Sequence, residues 1–263
     1  MTHFFAGPEQ VSDGMIRITG PDYNHMKNVL RMKPGEELSV SDGPDRRCIC
    51  RIEAYTDSEA VLRIIDIEGA SAELPAEITL FQGIPKGEKF ELILQKSVEL
   101  GVSRIVPVSM ARCVAKIDPK KEEKKIERFR KIAESAAKQS GRDRIPEVTS
   151  VMTLKETAAF AKSRDMRLIF AYEKAENPED TRRIFDSVRP GQKIGIVIGP
   201  EGGFSAEEAE FLQDFGAETV TLGKRILRTE TAPLYLLSVL GYRLEFCAED
   251  NEVQENKEHG NLS

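Results

Sequence analysis

Two stretches of the sequence combine residue types whose spacing could bind a ligand. The first is a glycine-rich turn at residues 199–203, which reads GPEGG and follows the apolar run IGIVI. Ser205 and Glu208, just after the turn, have the spacing of a helix capping box. The pattern therefore predicts a buried strand, a glycine turn and a helix, in which a ligand could contact exposed backbone.

The charge of the glycine-rich turn narrows the kind of ligand. Loops that bind phosphate combine glycines at fixed offsets with a lysine, and this turn matches neither of the common patterns. It contains no Lys or Arg but carries Glu201, with Glu207 and Glu208 close behind. These carboxylates would repel a pyrophosphate and would tolerate a neutral or cationic ligand. An ordinary strand-to-helix turn, with glutamates that match the helix dipole, is the alternative.

The second stretch is LGKRILRTETA, at residues 222–232. It follows a predicted strand and precedes the last predicted helix, with Thr231 or Ala232 as the N-cap and Pro233 in the first turn. Loops that leave the carboxyl ends of parallel strands can line one crevice, which is where open α/β sheets bind ligands. We therefore expect the two stretches to lie close together and to form a site poor in positive charge.

Composition limits the classes of function. The chain has 263 residues, enough for one large or two smaller domains, and we expect two. A formal net charge of -6 argues against a nucleic-acid partner, yet residues 112–144 hold twelve Lys or Arg against six Asp or Glu. Residues 245–263 hold six acids and one lysine. The overall charge therefore hides a local basic stretch.

The spacing of cysteine and histidine does not predict a metal site. Cys48, Cys50, Cys113 and Cys247 form no CxxC pair, and no histidine has ligand spacing beside them. No apolar run is long enough to span a membrane, and the N-terminus lacks the features of a signal peptide. We therefore expect a soluble, cytoplasmic protein with free thiols, no metal and no membrane contact.

The pattern of short segments predicts two domains of different type. Residues 4–67 contain strand-like runs, turn signals and one helical segment at 21–30, which together predict a small β-barrel. Residues 69–75, GASAELP, are expected to form a linker. Strands and helices then alternate, which predicts an α/β fold with a parallel, doubly wound sheet. Predicted strands lie at 78–81, 104–108, 168–171, 194–198 and 218–222, and predicted helices lie at 87–100, 121–139, 153–161, 180–188, from 205 onward and at 233–246.

The last predicted helix, at residues 233–246, is apolar nearly all round. Leu234, Leu237 and Leu244 mark one face, whereas Tyr235 and Phe246 lie on other faces. A helix of this kind must be buried on more than one side. A homodimer interface is the simplest way to cover it, and deep burial within one chain is the alternative.

Taken together, these motifs resemble those of one known family. IGPEGGFS at 198–205 and LGKRILRTETA at 222–232 carry the resemblance, and QKSVELGV at 95–102, AAKQSGR at 136–142 and HMKNVLR at 25–31 support it. The sequence resembles the SPOUT-class methyltransferases of the ribosomal small subunit methyltransferase E family, which act on N3 of a uridine in 16S ribosomal RNA.

The resemblance implies a fold, a cofactor and partners. It implies a PUA-like β-barrel that binds RNA at residues 1–72, a trefoil-knotted α/β methyltransferase domain with a parallel sheet at 73–247, and an acidic flexible tail at 248–263. It also implies S-adenosyl-L-methionine as the methyl donor, the small ribosomal subunit as the partner, and a homodimer formed through the C-terminal helix. The cationic sulfonium of that cofactor agrees with the acidic glycine turn. Chains rarely thread loops, so the knot is expected only from the resemblance.

The positions that match the family motifs give the expected site residues. The cofactor is expected in a pocket built from three loops, with apolar walls from Leu222, Ile226 and Leu227. Arg228 is expected to stabilise negative charge on the uracil oxygens, and Glu230 is a candidate base or orienting group. Alternatively, Arg228 and Glu230 only pair with each other or cap the last helix. The expected cofactor-binding residues are Ala171, Tyr172, Gly199, Pro200, Glu201, Gly202, Gly203, Leu222, Gly223, Ile226, Leu227, Arg228 and Thr229.

The basic stretch supplies most of the expected RNA contacts. Its charge-rich helix could instead be a solvated face, and a histidine on a helix is more often structural. The expected RNA-binding residues are His25, Arg31, Lys96, Arg112, Arg130, Lys138, Gln139, Arg142 and Arg144. Two other functions stay open. A nucleotide-dependent phosphoryl transferase would need a phosphate-binding lysine in the glycine turn, and a non-catalytic RNA-binding protein would leave both motif loops without a role.

Overall fold

Two compact units make up the described part of the chain. The computed structural model describes residues 1–43, 46–69, 71–115, 117–175 and 177–247. The first unit comprises Met1–Glu73 and Ala137–Ile145, and the second comprises Leu74–Ala136 and the described residues from Pro146 onward. The predicted flexible tail at 248–263 lies outside the described residues.

The first unit is built on one six-stranded sheet. Its strands are β1 (His3–Phe5), β2 (Val11–Ser12), β3 (Met15–Thr19), β4 (Glu37–Ser41), β5 (Arg47–Tyr55) and β6 (Glu59–Glu68). Helix α1 (Gly20–Asn24) continues as a π-helical turn, His25–Val29, and a short 3-10 turn occupies Pro8–Gln10. The strand order is β1-β4-β5-β6-β3-β2, antiparallel except for β1 with β4. Among the described residues β1 does not pair with β2, so closure of the predicted barrel stays a prediction.

Alternating burial explains how these short segments form a sheet. In β5, Cys48, Cys50 and Ile52 are buried, whereas the residues between them are more exposed. A period of two is that of a strand with one face on a core. The buried face belongs to the same apolar cluster as Phe4 and Met26. The sheet and the π-helical turn therefore share one core.

A buried carboxylate organises the segment 137–145 within the first unit. Asp143 is 3% exposed and accepts hydrogen bonds from Arg47 Nε at 2.8 Å, Ser41 Oγ at 3.1 Å and the Ala72 N–H at 2.8 Å. Burial alone would raise the pKa of Asp143, but these donors lower it below its usual value. The segment was expected in the second domain, and its contacts instead place it in the first unit.

His3 lies in the same buried network. Its ring is 5% exposed, with Nδ1 2.8 Å from Ser39 Oγ and Nε2 3.3 Å from Ser41 Oγ. Burial, and then the positive charge of Arg47, lower the pKa of His3 from 6.5 to about 4. The imidazole is therefore neutral in the folded protein at neutral pH.

The second unit is built on a seven-stranded parallel sheet. Its strands are β7 (Glu77–Gly83), β8 (Arg104–Ser109), β9 (Glu147–Val148), β10 (Met152–Thr153), β11 (Arg167–Ala171), β12 (Lys193–Ile198) and β13 (Glu218–Val220). The remaining helices of the chain are α2 (Lys89–Glu99), α3 (Pro119–Ser140), α4 (Leu154–Ser163), α5 (Pro178–Asp186), α6 (Ala206–Asp214) and α7 (Ala232–Phe246). The order is β10-β8-β7-β12-β11-β13, with β9 beside β8, and every pair is parallel. The predicted parallel sheet is confirmed, although the sequence pattern does not predict the two-residue strands β9 and β10.

The strand order changes direction between β7 and β12. From β7 the chain continues to β8 and β10 on one side, whereas β12, β11 and β13 lie on the other side. Both central strands are buried apolar runs, as expected in a parallel sheet. Their carboxyl ends are adjacent, since Gln82 pairs with Ile198 in the ladder. Open α/β sheets bind ligands at such a position.

Local hydrogen bonds fix where α6 and α7 begin. Glu208 N–H donates to Ser205 Oγ at 3.2 Å and Ser205 N–H donates to Glu208 Oε2 at 2.9 Å, which confirms the predicted capping box. Thr231 is the N-cap of α7, but its side chain makes no capping bond. The Arg228 carbonyl instead accepts from the N–H groups of Thr231 and Ala232. The loop before α7 is therefore tied to the helix through its backbone.

Helix α7 buries one face within the chain and exposes another. The buried residues of its central and last turns are Leu236, Leu237, Leu240, Gly241 and Leu244. Tyr235, Tyr242 and Phe246 are 42%, 63% and 72% exposed and recur at helical spacing. Burial within the chain therefore accounts for one face of this helix only.

The described residues contain no disulfide and no cluster suited to a metal. None of the four cysteines is bonded to another cysteine. No group of three or more His, Cys, Asp or Glu side chains within the described ranges could hold a metal ion. In the same ranges, every helix is too short or too polar to cross a bilayer.

We predict that replacing His3 by Gln reduces the loss of stability in acid. Between pH 6.5 and about 4 the unfolded chain binds a proton at His3 that the folded chain does not. The wild-type protein therefore loses stability as pH falls through this window, by roughly 2 kcal/mol at about pH 4.5. Gln does not titrate, so His3→Gln should lose less free energy of unfolding. Urea unfolding of both proteins at about pH 7 and about pH 4.5 measures the difference.

The matched control for this experiment is His25→Gln, at an exposed histidine of the same unit. It removes a histidine outside the buried network of His3, and the acid loss of His3→Gln is compared with that of this variant. An equal acid loss in wild type and His3→Gln would contradict a buried, neutral His3.

Candidate active site

One cavity lies at the carboxyl ends of β11, β12 and β13. Its volume of about 530 Å³ is within the usual range of small-molecule sites. All three loops expected to form the cofactor pocket line it, and so does every residue expected to bind the cofactor. The other lining residues are Lys89, Glu173, Ile198, Phe204, Thr221, Lys224, Arg225 and Ala232. The two motif loops, residues 199–203 and 222–229, therefore lie together as expected.

Close backbone contacts explain the glycines of the turn at 199–203. A Cβ on Gly199 would lie 3.1 Å from the backbone of Gly203, and a Cβ on Gly202 would lie 3.0 Å from Arg112 Cβ. Gly203 has a φ of +65°, a left-handed conformation that favours glycine. Arg112 Nη1 also donates to the Gly202 carbonyl at 2.8 Å. Side chains at these positions would push the turn away from its neighbours.

A buried hydroxyl ties the two motif loops together. Thr229 is 6% exposed, and its Oγ1 donates to the Gly199 carbonyl at 2.8 Å. The same oxygen accepts from Gln82 Nε2 at 3.0 Å. A hydrogen bond of this kind contributes about 1 kcal/mol, and leaving a buried partner unpaired costs more. Thr229 therefore fixes the second motif loop against the glycine turn.

The lining of the cavity is not poor in positive charge, and the expectation from the sequence was wrong on this point. The lining cations are Lys89, Lys224, Arg225 and Arg228, and the lining carboxylates are Glu173 and Glu201. The basic residues of the second motif face the same cavity as the acidic glycine turn. The preference for a cationic ligand therefore rests on the glycine turn alone, and the cations suit an anionic partner.

Lys89 connects an acidic residue of the glycine turn with Glu230, the residue that follows the second motif loop. Its Nζ lies 3.3 Å from Glu201 Oε1 and 3.3 Å from Glu230 Oε2. The contact with Glu230 is an ion pair whose geometry is not that of a hydrogen bond. Contact with Glu201 raises the pKa of Lys89 and outweighs burial, which would lower it. Contact with Glu230 raises the pKa further. Burial would raise the pKa of Glu201, but two kinds of contact lower it. They are hydrogen bonds from backbone N–H groups, including the N–H of Lys86 at 3.0 Å, and the contact with Lys89. Lys89 and Glu201 are therefore both charged at neutral pH.

Arg228 and Glu230 differ in their exposure. The Arg228 side chain is 82% exposed and lines the cavity, whereas Glu230 is 17% exposed and is not among the lining residues. Arg228 Nη1 lies 3.9 Å from Glu230 Oε1, too far for a hydrogen bond. Lys89 is closer to Glu230, which weakens the alternative in which Arg228 and Glu230 only pair with each other.

Comparison with known proteins decides the family. A family model described as an RNA methyltransferase domain matches residues 72–241, and one described as an RNA methyltransferase PUA domain matches residues 18–65. Ribosomal RNA small subunit methyltransferase E of Bacillus subtilis (strain 168) is 36% identical over 236 residues, which cover 89% of this chain and 92% of that protein. The chain belongs to the ribosomal RNA small subunit methyltransferase E family.

Other members of the methyltransferase E family are similar over most of their length. The protein of that name from Mycobacterium bovis (strain ATCC BAA-935 / AF2122/97) is 32% identical over 225 residues, 85% of each chain. The crystal structure of the Neisseria gonorrhoeae methyltransferase E bound to S-adenosyl methionine has a TM-score of 0.79 and 33% identity. It covers 91% of this chain and 96% of its own. The family expected from the motifs is confirmed.

One of the RNA contacts expected from the basic stretch is not supported by the structure. Arg142 is 2% exposed, and its guanidinium pairs with the Glu73 carboxylate within the first unit. A guanidinium buried in this way cannot contact an RNA phosphate. Two others carry acidic partners: Lys138 Nζ lies 2.7 Å from Asp22 Oδ1, and Lys96 Nζ lies 2.8 Å from Glu99.

The remaining expected RNA contacts are at the surface. Arg130 Nε donates to the Val148 carbonyl at 3.1 Å, and Arg112 holds the glycine turn as described above. The other exposed residues of this set are His25, Arg31, Gln139 and Arg144. Their contacts with RNA stay predictions.

The motifs that carry the resemblance do not include the end of β7, which also meets the site. A Cβ on Gly83 would lie 2.7 Å from the Pro200 backbone nitrogen, and Gln82 reaches Thr229. Lys89, at the start of α2, lines the cavity. The sequence signal that could have revealed this segment is a polar residue followed by glycine at the end of an apolar strand.

Proposed function

We propose that this chain transfers a methyl group from S-adenosyl-L-methionine to N3 of a uridine in 16S ribosomal RNA of the small ribosomal subunit. The observation that carries the proposal is the cavity in which both family motifs meet. Relatives named ribosomal RNA small subunit methyltransferase E support ribosomal RNA as the substrate. The S-adenosyl methionine bound to the Neisseria gonorrhoeae relative supports the cofactor.

The lining of the cavity suits this cofactor. Leu222 and Leu227 are half-buried and would give the adenine apolar walls, whereas Glu201 would attract a sulfonium cation. Ile226 lines the cavity but is 90% exposed, so it would gain burial against a bound ligand. When bound, S-adenosyl-L-methionine supplies an electrophilic methyl group. The chain's own residues then need only to position the base and stabilise charge.

Arg228 is proposed to stabilise the negative charge that spreads to the uracil oxygens when N3 passes its proton to a solvent base. A guanidinium stays charged at all relevant pH values and can donate two parallel hydrogen bonds. Its 82% exposure means that it can turn toward a base without breaking a buried contact. Its backbone carbonyl is fixed by the first turn of α7.

Glu230 is proposed to orient neighbouring cations rather than to accept the proton. Its carboxylate lies 3.3 Å from Lys89 Nζ and 3.9 Å from Arg228 Nη1, and it is not among the residues that line the cavity. A carboxylate in this position can hold both cations near the substrate.

Both predicted domains have a place in this function. The match to an RNA methyltransferase PUA domain supports RNA binding by residues 1–72, and the match to an RNA methyltransferase domain supports catalysis by residues 73–247. The exposed side chains His25, Arg31, Gln139 and Arg144 are proposed to contact RNA. A trefoil knot in the second domain is proposed from the family.

Calorimetry and a transfer assay test the proposed function. S-adenosyl-L-methionine should bind the purified protein whereas ATP should not, and a tritiated methyl group should pass to small-subunit particles. Binding of ATP instead would favour the phosphoryl transferase, and binding of neither compound would favour a non-catalytic RNA-binding protein. Mass spectrometry of 16S RNA from cells that lack the protein should show one missing N3-methyluridine.

We predict that Arg228→Ala abolishes methyl transfer, with a fall of about 100-fold or more, because it removes the charge that stabilises the uracil anion. The melting temperature should not change, since the side chain is 82% exposed. The tritium assay on small-subunit particles measures the effect. Arg182→Ala, at a 77% exposed arginine of α5, is the matched control and should keep wild-type activity. Full activity of Arg228→Ala would remove this residue from the mechanism.

We also propose a homodimer that covers the exposed face of α7, and predict that light scattering at micromolar concentration gives twice the mass of one chain. The double substitution Tyr235→Asp and Phe246→Asp should give the mass of one chain, because it places charge on this face. Ile67→Asp, at a 52% exposed position of β6, is the control and should stay dimeric. A monomeric wild-type protein would refute the homodimer.

A further inference from the structure

The end of β7 holds a buried glutamine that neither motif contains. Gln82 is 0% exposed and lies beside Ile198 at the centre of the parallel sheet. A polar side chain at such a position is unfavourable unless it is hydrogen-bonded, whereas an apolar side chain of similar size would pack there without that requirement. The contacts of the amide group must therefore explain this residue type.

Hydrogen-bond chemistry fixes the orientation of the Gln82 amide. Its Nε2 lies 3.0 Å from the Gly83 carbonyl oxygen and 3.0 Å from Thr229 Oγ1. A carbonyl oxygen can only accept, and the Thr229 hydroxyl already donates its proton to the Gly199 carbonyl at 2.8 Å. Both neighbours therefore require the NH2 group of the amide. The direction of donation runs from Gln82 through Thr229 to Gly199.

This orientation leaves the other amide atom without a partner. Gln82 Oε1 is buried and has no hydrogen-bond partner among the described residues. An unpaired buried acceptor is destabilising. The glutamine is therefore explained by the two hydrogen bonds that it donates and not by complete pairing of its own polar atoms.

The residues that follow Gln82 contact the glycine turn at 199–203. Gly83 leaves no room for a side chain beside Pro200, since a Cβ would lie 2.7 Å from the Pro200 nitrogen. The Lys86 N–H donates to Glu201 Oε1 at 3.0 Å. Lys89 pairs with Glu201. Residues 82–89 thus form a support for the cavity, and Gln82, at 0% exposed, is a fully buried member of it.

We propose that Gln82 is a positioning residue for the cofactor site, which acts through Thr229 to hold the second motif loop against the Gly199 carbonyl. Gln82 is not among the residues that line the cavity, so it acts on the ligand through Thr229 and not by direct contact. The inference rests on the proposed function, because it takes S-adenosyl-L-methionine as the ligand between these loops. Loss of the amide donors should weaken cofactor binding even where the protein stays folded.

Gln82→Met tests the proposal, because it keeps the length of the side chain and removes both N–H donors. Calorimetry with S-adenosyl-L-methionine should show a Kd about tenfold higher than that of the wild type. The KM for the cofactor should rise more than kcat falls, which a general loss of folded protein would not produce. Thr229→Val should raise the Kd similarly, and Thr229→Ser, which keeps the hydroxyl, should raise it less.

A double variant shows whether the two residues act as one unit. Gln82→Met combined with Thr229→Val should have a Kd close to that of the worse single variant, because both substitutions break the same chain of hydrogen bonds. Multiplication of the two single effects would overturn the proposal. So would a wild-type Kd in folded Gln82→Met.

The matched control is Thr157→Val in the same unit. Thr157 is also 0% exposed, and its Oγ1 has no hydrogen-bond partner in the described part of the chain. This variant should keep the wild-type Kd. If Gln82→Met does not fold, the Kd values of Thr229→Val and Thr157→Val for S-adenosyl-L-methionine are compared instead. Equal Kd values would overturn the proposal. A wild-type protein that binds no S-adenosyl-L-methionine would refute the proposed function itself, and this inference with it.

Discussion

The pairing of β7 with β12 at the centre of the parallel sheet is the contact on which the rest of the site depends. It places Gln82 beside Ile198 and brings Gly83 so close to Pro200 that no side chain fits between them. Because the strands are parallel, the loops that follow them leave at the same edge of the sheet. β11 pairs with both β12 and β13, so their loops arrive at that edge too. The cavity is a consequence of strand order.

Two kinds of contact hold the loops around this cavity, and their magnitudes differ. The Lys89 ion pairs with Glu201 and Glu230 involve a side chain that is 35% exposed, and solvent screens ion pairs of this kind so that they contribute little. Thr229 and Gln82 are buried, and removal of one buried hydrogen-bonding partner costs about 1–3 kcal/mol. The buried amide and hydroxyl therefore set the positions of the loops. The ion pairs set the charge that a substrate meets.

Local patterns were readable from the sequence, and long-range contacts were not. The strand, the glycine turn and the Ser205 capping box depend on neighbouring residues. The capping box is predicted as the structure has it, and the strand is predicted to within one residue. The sequence alone does not assign a role to Gln82, since its hydrogen-bond partner Thr229 is 147 residues away along the chain. Arg142 is expected to contact RNA as part of the basic stretch, but it is buried against Glu73, which is 69 residues away along the chain. The meeting of the two motif loops was predictable because parallel strands end at one edge of a sheet.

The most direct test of the central claim, that the two motif loops jointly hold a methyl donor, is a crystal structure of this protein with S-adenosyl-L-methionine. We expect the cofactor in the cavity, in contact with residues 199–203 on one side and residues 222–229 on the other. A cofactor bound elsewhere on the chain, or motif loops that lie far apart in the crystal, would contradict that claim.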